Sequence, residues 1–398
     1  MIREDKKRRR VTVMENQDNG QKKPGKMLPM FTPAEDIDSA LFSCPNEEKE
    51  MKPSDWDHIG FDLLSAGAYE EALIAFDNGL ELNPDHPSLL MNKADVLCRL
   101  GKYDESLELY EKVRKQDPGN AEVLTDMGLV CCRKNDLKNA MMFFNESLSV
   151  REDLDMTYAG IGLVLSGEGD YKNAIIAFDK ALSVNRKCKE AWHGKAAAHD
   201  ALGDSTEAII AYNEAIALDM TDPNLWYEKA LVFDRIGNVR TALASYDKAI
   251  ELDPAFENAW HNKGVLLTAS GEFEKAVEAF TKVIELDPAQ PDVWFNRGYT
   301  NSVMEDYDDA LQDLFRVIEL DPGFGRAYEE IGFIYTNMGF LADALTYFEK
   351  SLAVKESAES WFGKYFCLKK MADDEKAAEA LEKAVAIDPR YKDLAQQQ

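Results

Sequence analysis

From Pro53 to Pro389 the chain repeats one pattern of apolar and polar positions. The stretch Glu257–Gln290, ENAWHNKGVLLTASGEFEKAVEAFTKVIELDPAQ, shows it whole. Apolar residues fall at i, i+3, i+4 and i+7 in two successive runs, which puts each run on one face of an α-helix. Gly271 separates the runs and Asp287-Pro288 ends the second. The same plan precedes it at Pro223–Phe256 and follows it at Pro291–Phe324, with Trp226, Trp260 and Trp294 spaced by 34 residues. A fixed period of this length marks an array of stacked helix pairs rather than a globular domain.

Ten such units begin at residues 53, 87, 121, 155, 189, 223, 257, 291, 325 and 358; the ninth has 33 residues and the others 34. All six tryptophans (Trp56, Trp192, Trp226, Trp260, Trp294 and Trp361) stand at the fourth place. Glycine or alanine holds the eighth place in every unit except the last, which has Tyr365. Alanine holds the twentieth, with Ser106 once, and the twenty-fourth is Phe or Tyr except at Leu314 and Leu381. A small residue lets two helix backbones approach, and a large one fills the space beside the contact. The tryptophans are therefore expected at buried packing positions and not in an aromatic binding box. Glycines such as Gly67, Gly101 and Gly237 fall where a helix end favours a left-handed residue. Pairs such as Asp253-Pro254 stop the second helix, because proline cannot continue it.

Over residues 53–391 this pattern resembles the tetratricopeptide repeat family. The resemblance implies an all-α solenoid, with antiparallel helix pairs stacked in a right-handed superhelix and the first helix of each pair on the concave side. It also implies a partner that is a polypeptide. Outside the array, residues 1–31 are expected as a disordered tail, 32–52 as a short lead-in helix and linker, and 392–398 as a short C-terminal tail. Thr32, Pro33 and Glu35 form a capping pattern, with Ile37, Leu41 and Phe42 on one face.

Charge narrows the partners. Residues 1–26 carry 9 Lys/Arg against 4 Asp/Glu, whereas residues 53–398 carry 35 against 63, a net −28. Such an array repels phosphate backbones, which argues against nucleic acid binding through the repeats. The basic run Lys6–Arg10 reads as a solvated tail, and Met14 is a second plausible start. No stretch approaches the 18 or so apolar residues of a membrane span, and no apolar core follows the basic run as in a secretory signal. A cytoplasmic protein is expected.

Candidate chemistry is sparse. Cys44, Cys98, Cys131, Cys132, Cys188 and Cys367 show no C-x-x-C spacing, so a zinc site or disulfide framework is not expected. No phosphate loop, nucleophile elbow or dinucleotide turn occurs. No catalytic residue, metal or cofactor is expected. In the family, the second, fifth, sixth, ninth, twelfth and thirteenth places face the groove. The resemblance thus points to a peptide-binding set in the central units: His193, Asn224, Tyr227, Leu231, Asn258, His261, Asn262, Val265, Phe295, Asn296 and Tyr299. Rings would take side chains of an extended peptide and amides would pair with its backbone. No unit has Lys at the fifth or Asn at the ninth place, as a carboxylate clamp needs. A basic or amphipathic segment is the expected partner, and the expected role a non-enzymatic interaction scaffold. The runner-up is an assembly or regulatory subunit that meets a folded partner with its convex face or ends. At the C-terminus an exposed apolar strip around Ala377, Leu381 and Ala384 is expected, and with it end-to-end self-association.

Overall fold

The structure, a computed structural model, describes residues 51–396. The expected lead-in helix over residues 32–43 lies outside them. Residues from Pro53 onward form one compact unit. Within it lie 21 helices, arranged as ten antiparallel pairs and a short last helix. First helices begin at Pro53, Pro87, Ala121, Asp155, Lys189, Pro223, Glu257, Pro291, Gly325 and Ala358. Each first helix has 13 residues and each second helix 14, from the first unit to the last.

Between the helices of a pair, one residue takes a positive φ in every unit. Seven are glycines, among them Gly67 (φ 79°) and Gly271 (φ 78°); Asn135, Glu305 and Ala372 fill the same corner in the other three. This left-handed residue reverses the chain after the first helix.

First helices of neighbouring units touch one another, as Asp155–Gly167 touches Lys189–Ala201, whereas no comparable contact joins neighbouring second helices. The stack therefore bends with its first helices inside. Each pair closes on its own core. The twenty-fourth residue is buried against the eighth, and the two covary. Gly60, Gly128, Gly162, Gly264 and Gly332 meet Phe76, Phe144, Phe178, Phe280 and Phe348, and a Cβ at any of them would stand within 2.7 Å of the ring. Where the eighth place is Ala94, Ala196 or Ala230, the twenty-fourth is Tyr110, Tyr212 or Tyr246 instead. A flat ring that lies on a bare Cα requires glycine; a Cβ displaces the ring.

Two expectations need correction. The tryptophans are half-buried, not buried. In units 5 to 8 the indole N–H donates to the carbonyl six residues earlier, on the preceding loop: Trp192 to Arg186 at 2.9 Å, Trp226 to Met220 at 3.2 Å, Trp260 to Pro254 and Trp294 to Pro288, both at 3.0 Å. An N–H needs a partner, so the ring sits at the rim, where the loop supplies one. Nor is the apolar strip exposed at the end of the array. Ala377 (2%) and Ala384 (0%) are buried, and Leu381 packs against the last core cluster with Ala395. The segment expected as a tail begins with a helix, Arg390–Gln396, whose Tyr391 ring lies 4.7 Å from that of Phe362. End-to-end association was expected from that strip, which is covered; Met371, Ile387 and Leu394 are the exposed apolar residues of this end.

Candidate functional groove

The first helices put the second, fifth, sixth and ninth places of each unit on the inner side of the bend. The fifth and sixth places are occupied by the fold itself. His193 Nε2 lies 2.6 Å from Glu228 Oε2, Asn262 Nδ2 donates to the Tyr227 hydroxyl at 3.0 Å, and Asn296 Nδ2 lies 3.0 Å from His261 Nε2. His261 Nδ1 and Asn262 Oδ1 are 3.3 Å apart, so Tyr227, Asn262, His261 and Asn296 form one continuous line of hydrogen bonds. In each case the fifth residue of one unit meets the sixth of the next, as Asp57 meets Asn92 near the start of the array. These side chains, expected to hold a peptide, bond to one another across adjacent units.

Phe295 is also taken. It is 4% exposed and packs 5.2 Å from the Phe324 ring, with the Arg326 guanidinium 4.5 Å above its face. Asn224 is exposed but bonds Asp222 locally, at 3.2 Å. Asn258 is exposed. Leu231 packs partly into the core of unit 6.

Two of the expected apolar residues remain free. Val265 is 44% and Tyr299 42% exposed, large values for apolar side chains on a helix face. They stand at the ninth place, which also carries Phe61, Leu129, Leu163, Leu231, Phe333 and Phe366. The period thus draws an apolar stripe along the groove, interrupted by Asp95 in unit 2 and reduced to Ala197 in unit 5. In units 7 to 9 the stripe deepens into a cleft of about 460 Å³, walled by Val265, Phe273, Tyr299 and Val303 and edged by Arg326.

The groove's carboxylates are largely engaged. Glu228 pairs with His193 and Asp200 with Arg235. Ser302 Oγ donates to Glu330 at 2.7 Å, and Ser357 and Ser360 donate to Glu329. The hydrogen bond to Glu228 holds the His193 pKa above its ordinary value, against the opposing effect of burial. Asp126, at the sixth place of unit 3, faces Met91 at the fifth place of unit 2, which offers no donor. Burial, with Asp95 and Glu122 nearby, pushes its carboxyl up to about 7. Burial likewise raises the thiols of Cys131 to about 11 and Cys132 to about 12, so neither is a ready nucleophile. The five cysteines among the described residues are free thiols, and no cluster of three metal-ligating side chains occurs among those residues.

The pairing of fifth with sixth places was present in the sequence at a constant separation of 35 residues, one more than the period. Reading each column alone hides it. The coupling of the eighth and twenty-fourth places was legible in the same way.

Known proteins bear on this architecture. A search of curated proteins gave no match. Among solved structures, the crystal structure of YrrB, a TPR protein with an unusual peptide-binding site, is 24% identical and covers 46% of this chain and 95% of its own, with a TM-score of 0.42. The Cut9–Hcn1 hetero-tetramer of the APC/C is 19% identical over 75% of this chain and 59% of that chain, with a TM-score of 0.48. A human IFIT1 dimer with PPP-AAAA is 17% identical over 79% and 75%, with a TM-score of 0.53. At these identities the likeness is one of fold. Family profiles described as tetratricopeptide repeat match residues 63–125, 160–223, 223–256, 257–290, 291–324, 325–359 and 358–391. With ten helix pairs in one register and these matches along most of its length, the chain belongs to the tetratricopeptide repeat family.

Proposed function

We propose that the protein is a non-enzymatic interaction scaffold whose groove in units 5 to 9 takes an extended or helical segment of a partner protein. One observation carries this reading: the exposed ninth-place stripe, with Val265 and Tyr299 opening onto a cleft of about 460 Å³. Contiguous exposed apolar surface in a concavity is the usual mark of a binding groove. Of the two partner chemistries expected, an amphipathic segment is favoured over a uniformly basic one. Glu228, Asp200, Glu329 and Glu330 already have partners, so the groove offers fewer open carboxylates than its composition implies. The free thiols suit a reducing compartment, and we assign the protein to the cytoplasm. Among the described residues no helix is long and apolar enough to cross a membrane.

A second reading has its own observation. On the outward face of the second helices, Met142 (49%), Ile176 (66%) and Ile210 (47%) hold the same place in three successive units. The corresponding residues of the later units are Ala244, Glu278, Gln312, Thr346 and Glu379. This row suits a folded partner on the convex face, as an assembly subunit would require.

Pull-downs from source-cell lysate with three baits separate the two readings. The baits are the intact protein, Val265→Lys with Tyr299→Lys, and Ile176→Lys with Ile210→Lys. All four residues are well exposed, and circular dichroism melts should match. The groove reading expects a partner lost from the second bait and kept by the third. Loss from the third bait alone replaces it with the convex-face reading.

A further inference from the structure

We infer that the cleft of units 7 to 9 selects a large apolar side chain flanked by an Asp or Glu, whose carboxylate Arg326 holds. The inference rests on the groove reading above and adds the chemistry that the groove selects. Val265, Phe273, Tyr299 and Val303 give the cleft apolar walls, and Arg326 stands at its edge. Its guanidinium lies 4.5 Å from the centroid of Phe295, a ring buried to 4% exposure and backed by Phe324. A fixed ring under the guanidinium orients its plane and leaves its donor edge free for a bidentate partner.

Arg326 has no carboxylate in ion-pair range among the described residues, whereas Arg235, in the same groove, is spent on Asp200. Of the two acids on its own helix, Glu329 accepts from Ser357 and Ser360 and Glu330 from Ser302; the Arg326 charge bears on Glu330, lowering its pKa against burial, but forms no ion pair with it. An exposed guanidinium without an ion pair offers a local site for a carboxylate from outside, set against the array's overall charge of −28. The apolar cleft beside it would exclude water once filled, which strengthens the ion pair. The stripe continues past the cleft to Phe333 and Phe366, so a bound segment runs on, and the carboxylate is that of a side chain rather than a chain end. His261 and Val265 stand where a carboxylate clamp needs Lys and Asn. The apolar wall therefore takes the place of further cations.

The probe is a degenerate library of short synthetic peptides, captured on immobilised full-length protein and sequenced. The intact protein should enrich an aromatic or branched residue next to Asp or Glu roughly tenfold over the same residue next to Asn or Gln. Arg326→Gln should lose the acidic preference and keep the apolar one, and Arg326→Lys should recover part of it. Val265→Lys with Tyr299→Lys should lose both. Apolar enrichment without an acidic preference, or an acidic preference that survives Arg326→Gln, overturns the role of Arg326 and leaves the groove reading standing. No enrichment, or enrichment indifferent to Val265→Lys with Tyr299→Lys, overturns both.

Discussion

Six of the nine junctions between units fall into two kinds. Between units 3 and 4, 4 and 5, and 9 and 10, the sixth place is Gly160, Gly194 or Gly363. The preceding unit's Phe144, Phe178 or Phe348 lies directly on that glycine, and an added Cβ would stand 2.3 Å from the ring. Between units 5 and 8 the sixth place is Glu228, Asn262 or Asn296, and each bonds across to His193, Tyr227 or His261. The first helices come closer at these three glycine junctions than at the three polar ones, although the Asp57–Asn92 junction at the start of the array is polar and close as well. From unit 3 onward a glycine at the sixth place goes with closely packed inner helices. Val265 and Tyr299 are exposed in the stretch with polar junctions, although Leu163, between two glycine junctions, is exposed as well. The cleft begins in this stretch, at Val265 and Tyr299, and reaches Arg326 of unit 9.

Exchanging the sixth-place residues should break this contrast. Gly194→Asn forces a side chain against Phe178, which is fully buried and has no room to withdraw. A loss of about 3 kcal/mol is expected from overpacking of this kind. Asn262→Gly, the reverse change at a polar junction, removes the hydrogen bond to Tyr227 and adds backbone freedom, at a cost of about 1–2 kcal/mol. Urea unfolding of both variants measures the two costs. Equal costs would mean that the two kinds of junction do not differ in how tightly the sixth place is packed.

The outer edge tests whether the contrast runs through the whole junction. At the polar junction before unit 7, the Trp260 indole donates to the Pro254 carbonyl. At the glycine junction before unit 10, the ninth unit is one residue short. Lys355 stands six residues before Trp361, in a loop without the usual turn, and the Trp361 N–H is buried with no partner. Trp260→Phe should therefore cost about 1 kcal/mol, whereas Trp361→Phe should be neutral or stabilising, because a buried unsatisfied donor is itself unfavourable. Thermal melts of the two variants supply the comparison. A similar loss in both would show that the indole acts through packing alone.

These contrasts explain what the sequence could and could not convey. The ten units, their helix boundaries and the glycine corners are legible because each depends on contacts repeated at a fixed register, so that Gly271 or Pro288 means the same in every copy. The groove residues are only half legible. A column tells which side of a helix Tyr227, Asn262 or Phe295 occupies, but not what the next unit brings against it. Tyr227 meets Asn262, and Phe295 meets Phe324 and Arg326, so three residues expected to be open are engaged. Val265 and Tyr299 stay exposed at the ninth place, whereas Leu231 at the same place packs against a core that includes Ala259 and Leu266 of the next unit. The burial of Ala377 and Ala384 was missed because the last few residues are too few to show a period, although they suffice to form a helix.

Among the polar junctions, the one between units 5 and 6 differs in carrying a charge. His193 meets the Glu228 carboxylate, whereas the later two junctions use amides and a hydroxyl. The hydrogen bond to Glu228 raises the His193 pKa, burial lowers it, Asp222 adds to the rise and Lys189 subtracts from it. Because the folded value lies above the ordinary one of about 6.5, the folded state holds this proton more tightly than the unfolded chain. The stabilisation is fully present below about pH 6.5 and is lost as the pH rises through the folded value. More than a third of the His193 side chain is exposed, so solvent screening keeps the effect small, below about 1 kcal/mol. The stability difference between the intact protein and His193→Gln should shrink from about pH 6 to about pH 8. Glu228→Gln should flatten the profile to the same extent, since either change removes the charged link. A difference that stays constant across this range would mean that the junction is held by hydrogen-bond geometry alone, as its two neighbours are.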